Sequence, residues 1–219
     1  MLNIAIDGPS SAGKSTIAKQ LAKKLDICYL DTGSMYRAIG YKALKSNIDP
    51  NDETEVVKMM DNTTIDVKYV DGVQLVFIDG EDVTPFIREH RISKASSDIS
   101  KIGRVREILV AKQQEIAKSM PIVLDGRDIT TKVLPQSKNK FFLTASSEIR
   151  AKRRYDELLE KGQTIEYEDV LKDVIDRDYN DSHRSNSPLT RTADSILIDS
   201  SNMSVDQVVD YIISHLKKD

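Results

Sequence analysis

The chain carries a single cysteine, Cys28, so an internal disulfide and a cysteine-based zinc site are both excluded. That usage fits a reducing cytosol, and a cytoplasmic protein is expected, with Cys28 as a core filler. No apolar run approaches the ~18 residues of a membrane span, and the N-terminus enters a strand pattern with no basic region and long apolar stretch. Neither secretion nor a membrane partner is expected. A basic excess is missing too: net charge is −3 and the isoelectric point about 5.7, which argues against a nucleic-acid partner. Internal repeats and low-complexity tracts are absent. What remains is an ordinary globular composition, 39% apolar and 31% charged, over 219 residues, enough for one enlarged domain or a core with a small insert.

The arginines are unevenly placed. Of twelve, only Arg37 precedes Arg88. Arginine is the forked donor suited to phosphate and carboxylate, so the crowding points to a small anionic ligand held from several sides, or to surface pairing with the 35 acids.

Apolar periodicity predicts a buried strand over Leu2–Asp7 and a helix over Lys14–Leu25, then a short strand at Cys28–Leu30 and a helix from about Ser34 to Lys45. Alternating β and α predicts a parallel sheet covered by helices. Two strand-like runs, Thr64–Val70 and Val73–Ile78, flank the hairpin signal Asp71-Gly72 and mark an antiparallel insert. Beyond it the pattern predicts a helix near 102–118, strands at 122–125 and 141–143, helices near 147–161 and 166–179, a strand at 196–198 and a closing helix over 205–216. The expected architecture is a three-layer α/β P-loop fold with a central parallel sheet of about five strands, a small antiparallel-sheet insert and a helical lid. Residues 1–44 and 101–219 form the core, 45–100 the insert, and about 150–180 the lid, with Gly162 as a hinge.

Between the first strand and first helix, Gly8-Pro9-Ser10-Ser11-Ala12-Gly13-Lys14-Ser15 matches the phosphate-binding pattern G-x-x-x-x-G-K-[ST] in its confirming context. Glycines let the backbone turn its N–H groups toward phosphate oxygens, and the helix N-terminus adds free donors and a favourable dipole. Lys14 then reaches the β- and γ-phosphates, and the Ser15 hydroxyl is the expected ligand of Mg²⁺. A nucleoside triphosphate site is expected. No glycine has an aspartate three residues before it and N-K-x-D is absent, so the switch and guanine-reading elements of a GTPase are missing. A small-molecule kinase is favoured over an ATP-driven machine, which would need a tandem or ring signal.

Five segments together resemble the bacterial cytidylate kinases, a nucleoside monophosphate kinase family: Gly8–Thr16, the D-T-G-S-M-Y-R run at 31–37, G-R-V-R at 103–106, D-G-R-D at 125–128, and Arg177–Arg184. The likeness extends from residue 2 to about 216. It implies transfer from ATP to CMP or dCMP to give CDP or dCDP, Mg²⁺ dependence, a role in pyrimidine metabolism, a monophosphate-binding insert and a mobile lid. One position departs from the family pattern, since Thr130 stands where glycine is common, two residues after the second aspartate of D-G-R-D.

Phosphoryl transfer to a monophosphate needs little acid–base chemistry, because the attacking oxygen is already anionic near neutral pH. His90, His183 and His215 therefore need no role. The reaction requires two polyanions to be positioned and positive charge to be held over the transferring group. The resemblance implies that Arg37 and Arg127 hold the acceptor phosphate, where spacing alone also allows pairing with Asp31 and Asp128. It places ATP phosphates against Arg153 and Arg154, with Arg150 on the same helical face; a solvated face paired with Asp156 and Glu157 has the same spacing. It implies that Arg177 and Asp181 reach the sugar hydroxyls while Arg184 points into the transfer region beside Lys14 and Arg127. At i, i+4 and i+7 these three share a face if the helix continues that far, and a salt-bridge ladder is the alternative.

Cytosine presents an N4 donor beside N3 and O2 acceptors, and uracil reverses the first two. A carboxylate plus an arginine distinguishes them. The resemblance implies Asp128 on N4, with Arg106 and Ser97 on the other polar atoms, and adds Thr32 and Tyr36 as substrate contacts. A helix-capping threonine and a helix-facing tyrosine would need no ligand. Asp125, at a strand end, either orders Mg²⁺ waters or is a plain strand-end acid. A monomer is expected. The rivals are another small-molecule P-loop kinase and a nucleotide-binding module without transfer.

Overall fold

The computed structural model describes residues 1–70, 72–160 and 162–217. Asp71, half of the predicted hairpin turn, and Lys161, at the predicted end of a lid helix, lie outside them. The central sheet has five parallel strands in the order β2-β6-β1-β7-β8: β1 (Asn3–Asp7), β2 (Cys28–Asp31), β6 (Ile122–Gly126), β7 (Asn139–Thr144) and β8 (Ile196–Asp199). A second sheet is antiparallel, in the order β3 (Ile65–Val70), β4 (Val73–Ile78), β5 (Glu81–Asp82).

The chain divides into two compact units, one formed by Met1–Ile27 with everything from Pro121 onward, the other by Cys28–Met120. In the first, β1 lies between β6 and β7, with Asn3 to Asp7 in register with Ile122 to Gly126 on one side and Ile4 to Asp7 with Asn139 to Phe142 on the other. Ile4, Ala5 and Ile6 have no exposure, as expected of a strand buried on both faces. Helix α1 (Lys14–Leu25) buries Ile17, Ala18, Leu21 and Ala22 and packs against β6 and against α8 (Val205–Ser214), whose first turn carries a reciprocal Ser204–Gln207 capping box. Helices α6 (Ser147–Glu160) and α7 (Tyr167–His183) have a small core of their own, Ala151, Leu158, Val170 and Val174, with Tyr155 edge-on to Tyr167 at 5.9 Å.

In the second unit, α2 (Thr32–Lys45) packs on α4 (His90–Ile99) and touches α5 (Gly103–Ser119) and β4, burying Met35, Ile39, Ile92 and Ile99. Helix α3 (Glu53–Met60), capped by Asp52, packs on α5. Val70 pairs with Val73 across the hairpin.

Four expectations are corrected. Helix α2 starts at Thr32, not near Ser34, because the Asp31 side chain accepts from the Ser34 N–H and caps it; Thr32 is therefore not the cap. Helix α7 continues past 179 to His183 but stops before Arg184, whose backbone is extended, so Arg184 does not share a helical face with Arg177 and Asp181. Helices α3 and α4 and strand β5 fall where no element was expected. Cys28 is half-buried rather than a core filler. Among the described residues no helix is long and apolar enough to cross a membrane.

Candidate active site

The loop after β1 is shaped by two glycines. A Cβ on Gly8 would lie 1.9 Å from the Leu143 carbonyl oxygen, so only glycine lets the chain leave β1 this close to β7. Gly13, at φ +89°, turns the chain into α1 in the left-handed region. Lys14 is buried, and its Nζ donates to the Pro9 carbonyl at 2.6 Å. Burial, with the nearby positive charge of Arg127 adding to it, pushes the Lys14 ammonium down to about 7; Asp125, Asp181 and Asp7 oppose that shift. Ser15 Oγ donates to Asp125 Oδ2 at 3.0 Å. A hydroxyl and a carboxylate held together are hard oxygen donors of the kind Mg²⁺ takes, so these residues fit the expected cation.

Arg127 and Asp128 follow β6. Arg127 Nε donates to Asp181 Oδ2 at 2.6 Å, so its partner is Asp181 and not the adjacent Asp128. Burial raises the Asp181 carboxyl, but Arg127, Arg177 and Arg184 outweigh it and hold it below the usual aspartate range. Arg184 is almost enclosed, with Nη1 3.9 Å from Asp181 Oδ1 and Nε donating to the Ser187 carbonyl at 2.8 Å. Lys14, Arg127, Arg184, Asp125 and Asp181 thus belong to one cluster at the mouth of the loop, with Arg177 close enough to act on Asp181.

The three arginines of α6 do not crowd one face. Arg150 turns inward: Nε donates to the Ala145 carbonyl at 2.9 Å, Nη1 to the Ser10 carbonyl at 3.0 Å, and the fork meets Asp178 of α7. Arg153 donates to the Ser200 carbonyl at 2.8 Å, and the Ser200 hydroxyl reaches the Ala12 carbonyl at 3.4 Å. Arg154 pairs with Glu157 at 2.8 Å, as the solvated-face alternative anticipates. Thr16 is exposed.

In the second unit, Arg37 Nη2 donates to Asp31 Oδ2 at 2.6 Å, and Arg88, counted among the crowded arginines but given no site role from the sequence, joins the same oxygen at 3.0 Å. Gln74 accepts from the Asp31 N–H and donates to Ser34 Oγ. Arg106 is buried, donates to the Ser100 carbonyl at 2.9 Å, and stands 5.4 Å over the Tyr36 ring. Thr32 and Tyr36 are buried in α2, and Ser97 is half-buried in α4. Two histidines sit at the surface, His183 stacked on Tyr179 at 4.1 Å and His215 tilted against Tyr211. Sequence reasoning missed Asp7, Arg88, Asp178 and Ser200. For Asp7 a signal existed, a carboxylate ending a strand otherwise wholly apolar from Ile4 onward.

Comparison with known proteins matches residues 4–218 to the family model described as cytidylate kinase. Curated proteins named cytidylate kinase are similar along nearly the whole length. That of Caldicellulosiruptor bescii is 50% identical over 97% of this chain and 94% of its own. That of Caldicellulosiruptor saccharolyticus is 51% identical with the same coverage, and that of Caldanaerobacter subterraneus is 49% identical over 99% and 95%. Among solved structures, an uncharacterized protein from Eubacterium ventriosum aligns over 98% of both chains with a TM-score of 0.50 at 16% identity, a likeness of fold alone.

Proposed function

The chain belongs to the cytidylate kinase family and phosphorylates CMP at the expense of a nucleotide donor; we propose how its residues divide that work. The donor is ATP, its phosphates wrapped by Gly8–Thr16 and countered by Lys14. Arg153 and Arg154 reach it once their present partners, Ser200 and Glu157, are exchanged for phosphate. Mg²⁺, held through Ser15 with Asp125 ordering its waters, neutralises charge on the phosphates when bound.

CMP and dCMP are taken as acceptors through Thr32, Tyr36, Arg37, Ser97, Arg106, Arg127, Asp128, Arg177, Asp181 and Arg184. Residues 45–100 act as the acceptor-binding insert and about 150–180 as the lid. The chemistry is direct in-line transfer. Lys14, Arg127 and Arg184 hold positive charge where it develops on the transferring group, in a buried setting that strengthens each interaction. The acceptor oxygen is anionic at neutral pH, so no side chain has to remove a proton.

The observation that carries this reading is the buried Arg127–Asp181 pair beside Lys14, because it sets acceptor-type and donor-type cations in one cluster. A coupled ADP-release assay with CMP, dCMP, UMP, AMP and GMP tests it. Turnover on CMP and dCMP far above the purine nucleotides is expected, and ATP binding without any ADP release would refute it.

A further inference from the structure

Asp7 is the last residue of β1, fully buried, and is assigned no nucleotide contact in the reading above, where it acts only on the charge of Lys14. Its carboxylate is nonetheless fully engaged. Oδ1 accepts from the Ile129 N–H at 2.9 Å, and Oδ2 from the Thr130 N–H at 2.8 Å and the Thr130 hydroxyl at 2.6 Å. Those two amides open the π-helical turn Ile129–Val133, where the first N–H groups have no partner within the turn. Asp7 caps that turn from β1, as the side chain of an N-cap residue would from the position directly before it.

The same residue fixes the other end of the segment. Asp7 stands opposite Gly126 in the β1–β6 ladder. Between Gly126 and Ile129 lie only Arg127 and Asp128. This two-residue arch is thus tied to β1 at its start by strand pairing and at its end by the Asp7 carboxylate. Asp7 also precedes Gly8 directly, so the phosphate loop leaves β1 from the residue that secures the arch. Thr130 contributes two of the three hydrogen bonds and is itself buried.

We propose that Asp7 and Thr130 are positioning residues for the acceptor nucleotide, fixing Arg127 and Asp128 relative to the phosphate loop. The proposal rests on the reading of Arg127 and Asp128 as acceptor contacts. A side chain that touches no substrate governs KM for CMP and the choice of base through the arch it secures.

Thr130→Val keeps the shape and the N–H but removes the hydroxyl donor, and Thr130→Ser restores it. Steady-state kinetics should show KM for CMP raised about tenfold in Thr130→Val, the size expected for one hydrogen bond to a charged group. The CMP-over-UMP ratio should narrow, KM for ATP should stay within about twofold, and Thr130→Ser should recover most of the loss. Asp7→Asn, with an amide facing two donors, should lose more; if it does not fold, the valine and serine pair still decides. Arg127→Ala and Asp128→Asn are run alongside. If these two lose CMP while Thr130→Val keeps wild-type KM and base ratio, the positioning role is overturned and the acceptor reading stands. An equal rise in both KM values, or no recovery in Thr130→Ser, also overturns it. If Arg127→Ala and Asp128→Asn themselves keep wild-type CMP kinetics, the acceptor reading fails and the positioning role falls with it.

Discussion

Arg127 and Asp181 are 54 residues apart in sequence and 2.6 Å apart in space, joining the end of β6 to the last turns of α7 through a buried ion pair. Burial alone would lower the affinity of Arg127 for its proton; Asp181 more than offsets this, by charge and by hydrogen bond, and holds the guanidinium more firmly charged. Asp181 in turn stays ionised because Arg127, Arg177 and Arg184 outweigh its own burial. In the proposed reading, the pair holds a charged guanidinium ready for the acceptor phosphate.

Asp181→Asn is therefore expected to act on catalysis and on stability together. It leaves the Arg127 charge buried without its counter-ion, which costs about 3 kcal/mol of unfolding free energy. With Arg127 no longer aimed, kcat/KM for CMP should fall about 100-fold, while KM for ATP changes little. Urea unfolding and steady-state kinetics check both parts, and a variant with wild-type stability would show that the pair carries no such energy.

Much of this site was legible because its signals are local. The phosphate loop is eight consecutive residues between a strand and a helix, and its two glycines with Lys14 and Ser15 in that context place it. The five sheet strands follow from short apolar runs. Helix α4 was missed because His90–Ile99 holds three serines and few strong helix formers; packing of Ile92, Ala95 and Ile99 makes it helical. The partners of Arg150 and Arg153 were not legible because i, i+3, i+4 spacing fixes where side chains start, and long guanidinium stems then reach different partners, Ser10 and Asp178 for Arg150, Ser200 for Arg153. Arg88 and Asp31 are 57 residues apart, and no one-dimensional pattern joins them.

Acid should expose the Asp31 cluster. Burial pushes the Asp31 carboxyl up from 3.8, but Arg37 and Arg88 outweigh it and the net displacement is downward. A carboxyl depressed in the folded state binds its proton later than in the unfolded chain as pH falls, so its contribution is complete above the ordinary aspartate range and lost below it. Asp181 is displaced in the same direction. Urea midpoints are expected to hold steady above about pH 5 and to drop below about pH 4. Asp31→Asn keeps the helix cap but not the ion pairs, and should be less stable at pH 7 with a shallower acid decline. An unchanged acid slope would mean Asp31 is not displaced.

Lys14 offers a test at neutral pH. With its ammonium pushed down to about 7 by burial and by Arg127, it is mostly neutral at pH 8 before nucleotide binds. A polyphosphate set against it restores the charge, so binding takes up a proton. Titration calorimetry of Mg-bound ATP, in buffers of different ionisation enthalpy, should report clearly more proton uptake at pH 8 than at pH 6, the direction a lysine pushed down to about 7 requires. Lys14→Arg, charged throughout this range, should show none. Equal uptake at the two pH values would contradict the displaced lysine.

The proposed reading gives base choice to Asp128, buried at 4% exposure with its backbone carbonyl opening the π-helical turn. Cytosine offers its N4 amino group where uracil has the O4 acceptor. A carboxylate oxygen accepts from the first and is repelled by the second. A buried hydrogen bond to a charged group contributes about 1.5–3 kcal/mol, roughly 10- to 150-fold in kcat/KM. Asp128→Asn carries both an amide donor and a carbonyl acceptor, so it can face either base. Its CMP-over-UMP ratio is expected to narrow by that factor, through a loss on CMP and a gain on UMP, while KM for ATP is spared. ADP release on the two acceptors measures the ratio; if it does not move, Asp128 does not read the base.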